Sequence, residues 1–424
     1  MPPLSGVQVL TPGSTEAARS YVLPAIECAE KLDTNPTGFV HSDLFTMSSC
    51  TGALTLQDVT RDSQFNLSYA GGELLYNRSL PKEKTATPQR YGNFDELQLS
   101  EQLSGRRWKW QLGDQGMYLP ETPIGFSGFN GLTSYGQGLG SAILADAPVF
   151  NSSFQPNQGV YTGYATRFSD MALTQIQYSP TGRTMITASG MAGTLQYTSP
   201  GFIDNSYWMF TGGYNHFYGR GDEISLTYDE NHYMFSGANP GFVSRGLSFL
   251  YGHRINGRFS VQLSVAPTVN EISQAKGGTI NRGFLSTFDS LQYRERRWDG
   301  SLTFGRVTTG GAGVLPGAVR NMVDGSLGRQ LSRTVHGSVN GTFSNVQSLS
   351  PGTSSVGNRT YNLGEAGVEL SREFGEHLSL YLNYQVMRQT SNTPICAGGS
   401  CSSEFNRQIA EIGINWHARP IKID

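Results

Sequence analysis

The chain has 424 residues, 52 of them glycine, with 37 % apolar, 15 % charged and 11 % aromatic residues and a net charge of −2. An ordinary soluble domain carries roughly 45–50 % apolar and 25 % charged residues, and disordered chains lack aromatics, so neither class fits. No apolar run approaches the ~18 residues of a spanning helix, the glycines lack the three-residue period of collagen, and the balanced charge gives no electrostatic case for nucleic acid.

The opening MPPLSGVQVL has no basic and no apolar stretch of a secretory signal. Because the rest of the chain reads as exported, the signal peptide is expected to have been removed, leaving residues 1–19 as a periplasmic segment. Tyr21 to Glu30 reads as a first strand, Leu32 to Ser49 as a polar loop, and Cys50 to Thr60 as a second strand. From there the dominant signal is period-two alternation. Phe65, Leu67 and Tyr69 share a face, as do Ile224, Leu226 and Tyr228, and Leu247, Phe249 and Tyr251. Phe259, Val261, Leu263 and Val265 oppose Arg258, Ser260, Gln262 and Ser264, and Leu378, Leu380, Leu382, Tyr384 and Val386 oppose Ser379, Tyr381, Asn383 and Gln385. A helix would scatter these residues around its circumference, whereas a strand sorts them onto two faces.

The connections alternate short and long. Short turns are expected near Arg61-Asp62, Ser104-Gly105, Thr181-Gly182, Gly219-Arg220, Asn256-Gly257, Asp299-Gly300, Ser332-Arg333 and Gly375-Glu376, several of them glycine pairs suited to tight hairpins. Longer polar loops are expected at about 77–92, 119–169, 229–241, 267–284, 308–318, 346–360 and 389–404. Outer-membrane barrels sort their loops this way, short on the periplasmic side and long outside. The expected fold is therefore all-β: a transmembrane antiparallel up-and-down β-barrel over residues 20–418, with a tail at 419–424. Parity gives eighteen strands, or sixteen if the N-terminal segment is a plug or the turn near Pro200 is misread.

Four cysteines allow three pairings. The local one, Cys28 with Cys50 across the first outer loop and Cys396 with Cys401 inside the last, fits this topology best and suits an oxidising compartment. Four unpaired thiols is the alternative. Trp108 and Trp110 fall on one face beside a short turn, where an aromatic girdle at the membrane interface is expected. A sugar-stacking role would require them to face the lumen. The alternation places Arg107, Lys109, Arg258, Arg294, Arg296, Glu369, Arg407 and Glu411 on polar faces, as candidates for lining a pore. The equally open alternative is that they pair with one another and fill the lumen. The loop from 119 to 169 is long and Gly-rich and carries Phe126, Phe129, Tyr135, Asp146 and Phe150. It is expected to fold inward and narrow the pore.

The last strand, about Phe405 to His417, puts Ala410, Ile412, Ile414 and Trp416 on its lipid face. It is similar to the closing strand that barrel-assembly machinery reads, although the chain runs on through Arg419 to Asp424. Ser104-Gly-Arg-Arg-Trp-Lys-Trp-Gln-Leu112, Ser199-Pro-Gly-Phe-Ile-Asp204, Arg329-Gln-Leu-Ser-Arg333 and Asn415-Trp-His-Ala-Arg-Pro-Ile-Lys-Ile-Asp424 together resemble a family of acidobacterial outer-membrane β-barrel, porin-like proteins with no established activity. The resemblance covers most of the chain from about residue 20. It implies a fold and a membrane but no reaction, so it transfers no functional residue.

No catalytic constellation is visible: there is no GxSxG, and His41, His216, His232, His253, His336, His377 and His417 share no motif. No metal site and no cofactor are expected. The function expected is passive diffusion of small hydrophilic solutes through an outer-membrane channel. The alternatives are a substrate-selective or polysaccharide-export channel, or a structural or adhesive barrel with a blocked lumen. The expected partners are outer-membrane lipid, the assembly machinery and two further copies in a homotrimer.

Overall fold

A computed structural model describes residues 20–35, 44–80, 89–119, 160, 166–198, 202–218, 221–237, 239–274, 278–311, 313–349, 359–392 and 404–423. The strands are β1 (Tyr21–Asp33), β2 (Phe45–Val59), β3 (Ser63–Leu80), β4 (Gln89–Ser104), β5 (Trp108–Leu119) and β6 (Arg167–Thr181). They continue with β7 (Thr184–Tyr197), β8 (Asn205–Tyr218), β9 (Asp222–Phe235), β10 (Phe242–Arg254), β11 (Phe259–Ser273) and β12 (Thr279–Glu295). The last are β13 (Trp298–Thr309), β14 (Ala318–Gln330), β15 (Val335–Ser348), β16 (Thr360–Phe374), β17 (Leu378–Ser391) and β18 (Glu404–His417). Each pairs antiparallel with its neighbours in sequence, and β18 pairs with β1, which closes the ring. A two-residue β19 (Ile421–Lys422) folds the tail back onto Tyr21 and Val22.

Period-two alternation becomes two surfaces. On β1, Glu27, Lys31 and Asp33 are buried toward the interior while Ile26 and Leu32 stand outside. Leu247 and Phe249 on β10, Leu263 and Val265 on β11, and Ile412, Ile414 and Trp416 on β18 continue the exposed apolar belt. Trp108, Tyr178, Tyr218, Phe259, Phe374 and Trp416 ring its short-turn end. An outward apolar band flanked by aromatics, around an interior of polar side chains, is the architecture a barrel needs to stand in a bilayer.

The short turns are made by local side-chain chemistry. Asn256 Oδ1 accepts from the amides of Arg258 and Phe259 at 2.8 and 2.9 Å. Ser332 Oγ accepts from the amides of Thr334 and Val335. Both are side-chain mimics of a backbone turn. Asp299-Gly300 is not a turn. The β12–β13 hairpin turns at Arg296 and Arg297, and Gly300 sits in the ladder opposite Tyr293 and Leu327. Here glycine serves close packing, since a Cβ on it would lie 3.2 Å from Leu327 Cδ1. The expected loop at 267–284 is likewise shorter, because β11 runs to Ser273 and β12 begins at Thr279. Pro267 stays paired with Leu285 on β12 while the β10–β11 register skips Leu247 and Ser248 beside it, and Gly283 pairs with Val269.

The cysteines sit in the body of the first hairpin rather than flanking its loop. Cys28 and Cys50 are direct cross-strand partners with Cα atoms 4.2 Å apart, and they form a disulfide on the outward face. Such a close Cα spacing belongs to the narrow antiparallel pairs. Cys396 and Cys401 lie outside the described residues.

One ladder is incomplete. β12 pairs with β13 only from Thr287 to Glu295, so Thr279–Ser286 bond to β11 and to nothing described on the other side.

Candidate functional site

The interior divides into a dry wall and a wet one. On β1–β9 most inward polar groups are buried, among them Thr51, Gln57, Asn66, Gln98, Gln177, Asn215 and Glu223, with Lys109 near the short-turn end exposed. On β12–β15 the inward Ser290, Gln292, Thr303, Asp324, Ser326, Ser338 and Asn340 keep at least partial exposure. The solvent-exposed polar side chains of the interior are thus concentrated on the second wall, although Ser344 high on β15 is fully buried.

The closing seam between β17, β18 and β1 is held by charge. Arg407 Nε lies 3.0 Å from both carboxylate oxygens of Asp33, and its Nη2 adds a further bond to Oδ2. Lys31 Nζ pairs with Glu411 Oε2 at 3.3 Å. The Tyr381 hydroxyl bridges Glu27 Oε1 and Glu411 Oε1 at 2.8 and 2.9 Å. Tyr381 can reach both because it lies over Gly413, its direct cross-strand partner, where any Cβ would overlap its ring. An aromatic folded over a strand glycine is a recurrent device for fixing register.

Across the half of the lumen away from the short turns runs a strap, residues 310–311 and 313–317 between β13 and β14. Its glycines, Val314 and Leu315 are buried. Gly313 accepts a backbone bond from Ile203, which lies between β7 and β8, at 2.8 Å. Gly317 accepts from Leu349, and Arg359 Nη1 donates to the Val314 carbonyl at 3.3 Å, both between β15 and β16. These anchors lie eight strands apart on a ring of eighteen, close to a full diameter. Gly317 has φ +85°, a conformation that favours glycine, and a Cβ there would press on the Phe242 ring. Val314 and Leu315 pack with Val160, Val346, Tyr361 and Met387. The Tyr233–Phe242 stack, 4.5 Å between centroids, belongs to a second apolar cluster beside it. The strap thus narrows the bore with apolar packing above a polar interior.

The alternation places most candidate charges but overruns the strand ends. Lys109, Arg294, Glu369, Arg407 and Glu411 are on the inward face, opposite Gln177, Asp299, Asn383, Met387 and Asn383 respectively. Arg107, Arg258 and Arg296 are on turns at the rim, where the chain has left the ladder and a face is no longer defined. Arg258 bonds Glu295 at 3.0 Å there. Trp108 and Trp110 face outward, Trp110 donating its indole N–H to Thr174 Oγ1. Phe126, Phe129, Tyr135 and Asp146 lie outside the described residues; of that long stretch Val160 is seen, buried against the strap. Asp33, Lys31, Glu27 and Tyr381 escape a reading of single strands, because their meaning is their partner across the seam. The strap has a signal in the sequence: Val314-Leu315 is a bulky apolar pair in a connection otherwise made of glycine, alanine and proline. Among the described residues no group of three His, Cys, Asp or Glu side chains is placed to hold a metal.

No protein-family profile matches the chain, and no curated protein does. Among solved structures it is similar to the outer-membrane protein OpdK of Pseudomonas aeruginosa with vanillate, at 10 % identity and a TM-score of 0.45, covering 94 % of this chain and 98 % of that one. It is also similar to OccK9 (OpdG) of the same organism, at 9 % identity and a TM-score of 0.48, covering 94 % and 98 %. A BenF-like porin of Pseudomonas fluorescens Pf-5 matches at 10 % identity and 0.45, covering 96 % and 99 %.

Proposed function

We propose that this chain is a channel of a bacterial outer membrane that lets small hydrophilic solutes diffuse passively. The observation that carries the reading is the wet wall: most polar inward side chains on β12–β15 keep solvent exposure inside a closed eighteen-stranded ring whose outer face is apolar. Barrels of 16–18 strands are wide enough to leave an aqueous bore. The short turns face the periplasm on this reading, and the strap sets the narrowest point. The kinship with acidobacterial porin-like barrels belongs to the same proposal and rests on the four sequence phrases above.

Planar-bilayer recording of the purified protein tests it. Steady conductance is expected, and replacing residues 310–317 by a two-residue turn should raise it. A silent wild-type protein that becomes conducting without the strap identifies a closed barrel. Silence in both sinks the channel reading in favour of a structural barrel, which the apolar clusters in the outer lumen would then explain.

A further inference from the structure

The incomplete ladder between β12 and β13 has a geometric cause and a chemical consequence. Above the Thr287–Arg306 pair the two strands part. Thr308 is on the face of β13 that points outward lower down, yet its hydroxyl bonds the carboxamide of Asn270, at 3.3 and 3.4 Å. Asn270 is fully buried on the inward face of β11, on the far side of β12. The end of β13 has therefore swung inside β12, and the strap continues that inward course. Arg306, at the fork, reaches the ring of Phe284, 5.7 Å from its centroid, although Phe284 is on the inward face of β12. The backbone edge of β12 from Thr279 to Ser286 faces this gap with no described partner. Exposed edges of this length are rare in barrels, whose closure normally removes them.

The gap has an apolar side and a basic side. Outside, Leu285, Val269 and Phe304 carry the lipid-facing belt up to it. Inside, the half-exposed Arg282 and Phe284 look onto the lumen. Arg306 stands exposed between the two, and neither it nor Arg282 has a carboxylate partner among the described residues. An unpaired guanidinium beside a lipid-facing belt and an aromatic ring suits one kind of solute: a tail that prefers the membrane and a head that is an anion.

We propose that the β12–β13 fork is a lateral window through which single-chain anionic amphiphiles pass between the lumen and the outer leaflet, with Arg306 and Arg282 meeting the anionic head. The proposal rests on the channel reading. It adds a second route, sideways, to the axial one that hydrophilic solutes take.

The test clamps the window and compares the two routes in the full-length protein. Ser286→Cys with Val307→Cys places a pair one step above the last ladder pair, where the strand ends must meet for a disulfide to form. Uptake of radiolabelled dodecanoate is measured in cells displaying the barrel, and potassium chloride conductance is measured in bilayers. Closing the clamp should cut dodecanoate uptake at least fivefold, with recovery on reduction, and leave conductance within twofold. Wild-type protein under the same reduction controls for Cys28–Cys50. Arg306→Glu tests the head-group step without a clamp: dodecanoate uptake should fall severalfold and that of dodecyltrimethylammonium should rise. Uptake unchanged by the formed clamp, uptake indifferent to Arg306→Glu, or uptake no greater than in cells without the barrel overturns the window. Conductance persisting in those cases leaves the axial channel standing, whereas its absence in the wild type removes the channel reading itself.

Discussion

Removing Arg407 should open the barrel at its seam, and the cost can be worked from its surroundings. The Arg407 side chain is 2 % exposed and that of Asp33 11 %. In Arg407→Met the guanidinium disappears and the Asp33 carboxylate keeps one described donor, the Asn35 amide at 3.0 Å. Stripping one member from a buried pair typically costs about 3–5 kcal/mol, most of it the price of the stranded charge. At ~1.4 kcal/mol per tenfold, that is two to three and a half powers of ten in the folding equilibrium. Asp33→Leu combined with Arg407→Met removes both charges together, and a buried pair replaced by apolar groups is often neutral. The double variant should therefore recover most of the loss. Urea unfolding in detergent micelles, followed by tryptophan fluorescence and by the gel shift between folded and unfolded barrel, measures all four corners of the cycle. A double variant as unstable as the single one would refute the argument, because the loss would then lie in packing or in other partners of Arg407 and not in the stranded carboxylate.

Further outcomes follow from the same geometry. Gly413→Val must displace the Tyr381 ring and break its bonds to Glu27 and Glu411, so a loss of about 1–3 kcal/mol is expected from overpacking alone, read in the same unfolding assay. Cys28→Ser with Cys50→Ser releases a cross-link of sequence separation 22, worth about 3 kcal/mol on the chain-entropy account; unchanged unfolding midpoints with and without reductant would count against it. Leu263→Arg puts a charge on the lipid face and should cost about 2–4 kcal/mol near the bilayer midplane, whereas Gln262→Arg, one residue away on the inward face, should leave stability alone and change ion selectivity in bilayer recordings. Gly317→Val forces a branched side chain into φ +85°, a strain of about 1–3 kcal/mol; the strap should loosen and single-channel conductance should rise or become noisy.

Much of this architecture is legible in the sequence because a strand writes its environment into alternate residues. Phe259, Val261, Leu263 and Val265 must share a face whatever the rest of the chain does, and once one face meets lipid the other is fixed as interior. Loop lengths then give the direction of each strand, and parity gives their number. Even the Cys28–Cys50 bond is foreshadowed, since two strands joined by one loop can hardly be other than neighbours.

The same local code is silent on whatever crosses the lumen or leaves the ladder. Period two puts Arg407 on an inward face, but Lys31 and Asp33 lie past the expected end of the first strand, and only the longer β1 and the closure of β18 on it make them partners. It assigns Arg107, Arg258 and Arg296 a face on turns that have none. It places Gly310 to Gly317 in an outer loop, while the inward course of that loop depends on Ile203, Leu349 and Arg359, residues distant in sequence that the ring brings to opposite sides of one opening. The sequence by itself determined the strands, their two faces and their number, because those depend on each residue's preference for lipid or water. Tertiary structure alone decided the charged seam, the strap and the forked wall between β12 and β13, because each depends on the distance between parts of the chain that share no local pattern.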